Sequence, residues 1–316
     1  MSPINSQSVL EGLESPDVNQ RRLALTQVEN VLDSVPVELL INRLKDEDAT
    51  VRRLAAQALE ELGDEAAVPH LLEAIGDPDA DVKLASKTAL REFRHSAAAN
   101  ELIKGISHRN PEVREAVILA LREFGLPSAE KALIEASLDP VHSVRREAVI
   151  ALGHLRSLTA LPAILARLKD EDPEVRRLAV GAAIFFTQHT NLSHYAAVLS
   201  DPDWQVRREA VIALSRLSQE EVGLSLLKAL GDSHWQVVKE AALGLGRHKI
   251  RASQQLFPLL DRKEPDIRKN AAWALGETGV GGEALKLKSL LEDEDADVRK
   301  TAERAIESIE KRSRIG

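Results

Sequence analysis

Asp48-Ala-Thr-Val-Arg-Arg-Leu-Ala55 decides how this chain is read, because Asp17-Val-Asn-Gln-Arg-Arg-Leu-Ala24 stands 31 residues before it in the same order. Working outward, the valine followed by a base recurs on the same step at Val82-Lys83, Val113-Arg114, Val144-Arg145, Val175-Arg176 and Val206-Arg207. Val237 keeps the step, Ile267-Arg268 arrives one residue early, and Val298-Arg299 resumes it. Ten copies of one unit therefore fill the 316 residues. A fixed period of this length marks a solenoid or array, in which each copy buries its apolar face on its neighbours. The copies run approximately over 4–32, 33–63, 64–94, 95–125, 126–156, 157–187, 188–218, 219–249, 250–279 and 280–316, read as one array over residues 1–316.

Residues 64–94 show what one copy builds. Val68, Leu71, Leu72 and Ile75 make the stripe of a short amphipathic helix. Pro69 falls in its first turn, where a missing N–H costs nothing. Gly76-Asp-Pro-Asp79 is turn chemistry, and an aspartate just before a helix caps it. Val82 then opens a second helix through Ala85, Ala89, Leu90 and Phe93. With the valine as position 0, positions 4, 7, 8 and 11 share one face and form the buried stripe. Position 7 is Ala58, Ala89, Ala120, Ala151, Ala182, Ala213, Gly244, Ala274 and Ala305, so two helix backbones approach closely there. Short connections make successive helices antiparallel. The expected fold is all-α: an α-solenoid of about ten 31-residue helical hairpins wound into a right-handed superhelix. Glu303 at position 5 of the last copy, and Gln20 and Gln27 in the first, put polar groups at the ends, as a stack exposed to water requires.

Composition narrows the functional classes. The net charge of −8 repels nucleic acid and anionic membranes. Cysteine is absent, which excludes disulfides and thiolate metal sites. Met1-Ser-Pro-Ile-Asn-Ser6 lacks the basic-then-apolar pattern of a signal peptide, and no stretch approaches the roughly 20 apolar residues of a membrane span. The expectation is a cytoplasmic protein.

With aspartate at position −5 and a base at +1, the copies resemble HEAT repeats, specifically the short class named for phycobilisome lyase subunits. Asp46, Asp77, Asp139, Asp170, Asp201, Asp232 and Asp293 hold the acidic place, and Arg52, Lys83, Arg114, Arg145, Arg176, Arg207, Arg268 and Arg299 the basic one. The resemblance implies a structural ladder, each base bridging to acidic or carbonyl oxygens of adjacent units. The departures are His108 and Ser15 at −5, Asp261 displaced by the one-residue deletion, and Val238 at +1. Proteins of this fold serve as scaffolds, transport receptors, bilin-attaching subunits, DNA glycosylases and a diiron hydroxylase, so the resemblance fixes fold far better than function.

In HEAT-type stacks the second helices line the concave side, and positions 3, 6 and 10 oppose the buried stripe. Position 6 reads Gln57, Thr88, Leu119, Ile150, Gly181, Ile212, Leu243 and Trp273, with Phe185 projecting nearby at position 10. Such an apolar strip marks a partner-binding surface, unless curvature buries it between neighbouring helices. Arg146, Arg177 and Arg208 flank it at position 2, followed by Lys239, Lys269 and Lys300, and Glu147, Glu209 and Glu240 stand at position 3. A basic row beside an apolar groove fits an acidic amphipathic helix or tail, although a solvated charge row is the plainer reading. Trp204 and Trp235, one repeat apart at position −2, form a ridge of candidate anchors or of turn packing. Phe185-Phe-Thr-Gln-His-Thr-Asn-Leu-Ser-His-Tyr195 is the least repeat-like stretch, either drifted repeat or a contact.

Catalytic signatures are scarce. None of the nine histidines precedes a glutamate, which argues against the His-Glu pairs that the resemblance associates with diiron hydroxylases. There is no Gly-rich phosphate loop and no legible nucleophile triad. No catalytic residue, metal ligand or cofactor is expected. The first functional reading is a scaffold, adaptor or assembly factor that binds a partner protein along the concave face. The alternative is a bilin-lyase-like subunit, with the strip holding a tetrapyrrole and the bases its propionates.

Overall fold

The computed structural model describes residues 5–93, 96–190, 192–217 and 222–315. The N-terminal residues 1–4, Asn191 of the irregular stretch, and the repeat boundaries at 94/95 and 218/219 lie outside them. Among the described residues the regular structure is entirely helical, without a strand. The chain divides into two compact bodies, Met1–Ala160 and Leu161–Gly316.

The first body holds five hairpins: α1 (Ser6–Leu13) with α2 (Val18–Gln27), α3 (Val37–Arg43) with α4 (Ala49–Leu62), α5 (Val68–Ala74) with α6 (Ala80–Leu90), α7 (Ser96–Gly105) with α8 (Pro111–Phe124), and α9 (Glu130–Ala136) with α10 (His142–Leu155). The second holds α11 (Leu161–Ala166) with α12 (Pro173–Ala183), α13 (Leu192–Ala196) with α14 (Trp204–Leu214), α15 (Val222–Ala229) with α16 (Trp235–Arg247), α17 (Ser253–Leu256) with α18 (Pro265–Thr278), and α19 (Ala284–Leu287) with α20 (Ala296–Ile315). Each even-numbered helix is the second helix of its repeat.

Local chemistry sets the boundaries. Asp79 caps α6 by accepting the N–H groups of Asp81 and Val82 at 2.9 and 3.1 Å, and Asp48, Asp172 and Asp203 cap their helices likewise. Helix α6 thus begins two residues before Val82 and ends at Leu90, leaving Phe93 buried just beyond it. Position 12 closes several even helices in the left-handed conformation: Gly63 and Gly125 adopt it with φ of 65° and 59°, Arg156 and Lys249 with 52° and 53°. Only glycine does so without a Cβ penalty. The core is the expected stripe plus position 5: Ala58, Ala151 and Ala213 at position 7 are buried, and so are Ala56, Ile118, Val149 and Val211.

The ladder forms rung by rung. Arg52 Nε and Nη2 donate to Asp77 Oδ2 and Oδ1 at 2.7 and 2.8 Å, while its Nη1 donates to the carbonyls of Asp46 and Glu47. The same fork joins Arg114 to Asp139 in the first body, where Arg21 Nη2 also donates to Asp46 at 2.9 Å. In the second body it joins Arg176 to Asp201, Arg207 to Asp232 and Arg268 to Asp293. Each aspartate also accepts an N–H two residues on, as Asp77 does from Asp79 at 2.8 Å, so one carboxylate fixes its own turn and the arginine of the previous repeat. A buried pair of this kind contributes little net stability, but leaving one member alone is costly. The rungs therefore fix register.

Candidate partner-binding face

The sequence places the strip on the even-numbered helices, where the structure half-buries it. Leu119 and Ile150 in the first body, and Ile212, Leu243 and Trp273 in the second, are neither core nor free surface. Their neighbours Ala151 and Ala213 are completely covered. Trp273 shows the cause. Its ring lies where a Cβ on Gly246 would come within 2.4 Å, so position 6 leans onto the preceding even helix. The strip is a shelf between core and water. Phe185 is its most open member, 49% exposed.

Elsewhere in the irregular stretch Phe186, Thr190 and Tyr195 belong to the core, while Gln188, His189 and Ser193 are exposed. Tyr195 is fully buried with its hydroxyl donating to Thr190 Oγ1 at 3.2 Å, and Phe186 is buried beside it. The two tryptophans also separate in role. Trp204 stacks on His234, in the turn of the next repeat, at 5.6 Å between ring centroids and 7° between planes, rather than on Trp235. Trp235 receives the Lys239 ammonium over its ring at 5.7 Å. Both are half-buried, and Trp204 is turn packing.

From Arg146 to Lys269 the bases of the row are engaged by nearby carboxylates. Arg177 forks onto Glu174 at 2.7 and 2.9 Å, Arg146 lies 3.3 Å from Glu147, and Arg208 lies 3.6 Å from Glu240. Lys239 and Lys269 share Asp266 at 3.0 and 2.9 Å. Glu209 differs: burial pushes its carboxyl above the usual range against the pull of Arg177, Arg208 and Arg216. Its Oε1 stands 3.6 Å from where a side chain on Gly181 would begin, covering the gap in the strip.

Two features were missed. Leu84 occupies position 2 of the third repeat, where most copies carry a base, and is 64% exposed. It shares a cleft of about 270 Å³ with Thr88, Ala116 and Leu119. The departure from the basic row was a legible signal. The second feature is a charge asymmetry: residues 1–160 hold 26 acidic against 18 basic side chains, and residues 161–316 hold 24 of each. The whole net charge thus belongs to the first body. There Glu29, Glu60 and Glu61 line a second cleft, and burial, then repulsion from Glu92 and Glu61, raises the Glu60 carboxyl.

Among the described residues no group of three or more His, Cys, Asp or Glu side chains could hold a metal, and no helix is long and apolar enough to cross a membrane. The even-numbered helices thus present half-buried apolar surface bordered by paired charge.

Repeated helical hairpins joined by an Arg–Asp ladder define an α-solenoid. The chain belongs to the HEAT-repeat family, whose pattern matches residues 6–91, 68–152, 131–215, 191–245 and 223–307. A comparison with curated protein sequences found no match. Similar solved structures include an engineered protein (20% identity, 97% of this chain and 99% of that one, TM-score 0.54). Kap95p, from a study of its binding to RanGDP, is similar over 95% of this chain and 49% of its own (15% identity, TM-score 0.62). Importin beta is similar over 95% and 50% (15% identity, TM-score 0.59). This chain spans about half the length of those last two, and at such identities the likeness concerns fold alone.

Proposed function

We propose that this chain is a cytoplasmic scaffold or assembly factor that holds a partner protein along the faces of its even-numbered helices. The carrying observation is that each body carries half-buried apolar residues on its even-numbered helices, Leu119 and Ile150 in the first and, separately, Ile212, Leu243 and Trp273 with the half-open Phe185 in the second. Apolar surface of this kind, rimmed by charge, is what a partner's helix or strap covers. Because Arg146, Arg177 and Arg208 already face carboxylates, we infer a partner that is amphipathic first, with acidic groups a secondary match. The same engagement leaves fewer free bases for tetrapyrrole propionates, so the bilin-handling alternative has less support. The 31-residue step with its Asp and Arg places still favours the short, phycobilisome-lyase-like class of HEAT repeat.

The test is site-specific photo-crosslinking. A benzophenone amino acid replacing Phe185 should give one discrete adduct in an extract of the native cells. The same group replacing Leu224, 77% exposed on the first-helix side, should not. Equal labelling from both positions, or none from Phe185, would reject the proposal. A shifted visible band on titration with a linear tetrapyrrole would favour the alternative.

A further inference from the structure

The cleft between α6 and α8 is an open, largely apolar hollow, and its walls are polarised. The floor is Leu84, Thr88, Ala116 and Leu119. Along the α6 side stand Lys87 and Arg91, with side chains 40% and 48% exposed. Along the other side stand Glu112 and Glu115 of α8, with Glu147 of α10 beside them held by Arg122 and Arg146 at 3.2 and 3.3 Å. Ion pairs tie the walls together at both ends. Lys83 and Lys87 reach Glu112 at 3.2 and 3.9 Å, and Arg91 forks onto Glu123 at 2.6 and 3.0 Å. Between these ties Leu84 remains 64% exposed, although a base at its position would have been solvated at no cost.

We propose that this cleft is the seat of an amphipathic helix of a partner protein, with an aliphatic ridge and flanks of opposite charge. This deepens the functional reading above and rests on it. The charges choose the occupant. A helix acidic on both flanks brings one row against Glu112 and Glu115, and a helix basic on both flanks brings one row against Lys87 and Arg91. Only a helix with one acidic and one basic flank meets complementary charge on both sides, and like charges facing each other are what excludes wrong partners. The helical form follows from the seat, since the groove between two neighbouring helices accepts the side-chain ridge of a third. The partner is a protein and not a nucleic acid because all of the chain's net negative charge lies in this body.

Three labelled peptides of about 18 residues, five helical turns, share one leucine ridge and differ only in their flanks: Glu/Lys, Glu/Glu and Lys/Lys. Fluorescence anisotropy against the full chain should rank Glu/Lys tightest. Leu84→Asp should weaken it about tenfold or more, since a carboxylate would be trapped unpaired in a filled apolar seat. Leu84 is exposed enough that the fold is untouched, which circular dichroism checks. Lys87→Glu with Arg91→Glu should shift the preference to the Lys/Lys peptide. A tighter Glu/Glu or Lys/Lys peptide, no binding at all, or binding unchanged by Leu84→Asp overturns the proposal. Binding lost in Ile212→Asp but kept in Leu84→Asp overturns it too, while leaving the broader partner-binding reading intact.

Discussion

Replacing Arg207 by valine removes one complete rung. In the native protein its Nε and Nη2 donate to Asp232 at 2.6 and 2.8 Å, and its Nη1 donates to the carbonyls of Asp201 and Pro202 at 2.8 and 3.1 Å. The two side chains are only 12% and 10% exposed. Burial alone would raise the Asp232 carboxyl, but the arginine fork and the N–H of His234 hold it below its usual range. Without Arg207 the carboxylate keeps one N–H donor, at 2.8 Å. Stranding a buried charge costs about 3–5 kcal/mol. The two freed carbonyls border solvent, so the lower end applies, about 3 kcal/mol. Arg207→Val with Asp232→Val strands no charge, leaving only the two carbonyls and the His234 N–H to find water, and should cost about 1–2 kcal/mol, less than the single change. Urea is the denaturant of choice because guanidinium, a salt, screens the pair. All three tryptophans lie in the second body, and Trp204 stacks on His234 beside the rung, so fluorescence follows the region directly. Repeat stacks lose strict two-state behaviour, so hydrogen exchange across α14 and α16 should localise the loss. A single variant within about 1 kcal/mol of wild type, or a double variant as costly as the two singles added, would refute the reasoning.

Three further outcomes follow from the same geometry. On acidification, stability should first rise slightly and then collapse. Glu60 and Glu209 have raised folded-state pKa values, so protonating them relieves the fold, whereas Asp77, Asp232 and Asp293 are depressed, and Asp48 sits at about 2 through its hydrogen bond from Arg22. The aspartate contribution is present above an unfolded pKa of about 4 and lost as pH falls through the folded values; melts from pH 7 to pH 2 check this. Ile212→Asp should cost about 1–2 kcal/mol and Ala213→Asp, one residue along in the core, more than about 3 kcal/mol; equal costs would make the shelf ordinary core. Lys249→Gly should stabilise by about 0.5–1 kcal/mol, because a left-handed lysine carries a Cβ penalty that glycine lacks; a lowered melting temperature would contradict the assigned φ of 53°.

The periodic part of this fold was legible because period, caps and ladder are properties of one repeat. Asp48 and Asp79 cap where an aspartate before a helix should, and each Arg–Asp fork spans the same 25 residues. The binding face was less legible because its exposure depends on how close successive helices lie. Position 6 was expected to face the groove and is half-buried instead, because the small residue that lets Trp273 lean inward, Gly246, belongs to another repeat. Charge counting likewise saw a row of bases but not Arg177 turning back onto Glu174. Nor did the spacing of Trp204 and Trp235 reveal that His234 reaches the indole first.

The departures from the ladder say most about why it exists. At the rung between α16 and α18 the base is missing, and Val238 lies buried in its place, 1% exposed. The acid is missing as well, since Arg262 stands five residues before Ile267. A more exposed pair, Lys239 with Asp266 at 3.0 Å, joins the same two helices instead. At the rung between α6 and α8 the acid is replaced by His108 while a base is kept, but it is Lys83, its side chain 31% exposed and turned to the half-exposed Glu112 at 3.2 Å. In both cases no charge is left buried and alone. Either both partners go, or the survivor moves toward water. That is the pattern expected if the penalty for a stranded ion, rather than the gain from the pair, constrains these positions. It also explains how α16 and α18 pack against each other without a rung: the apolar stripe supplies the attraction, and the ladder elsewhere decides which turn meets which.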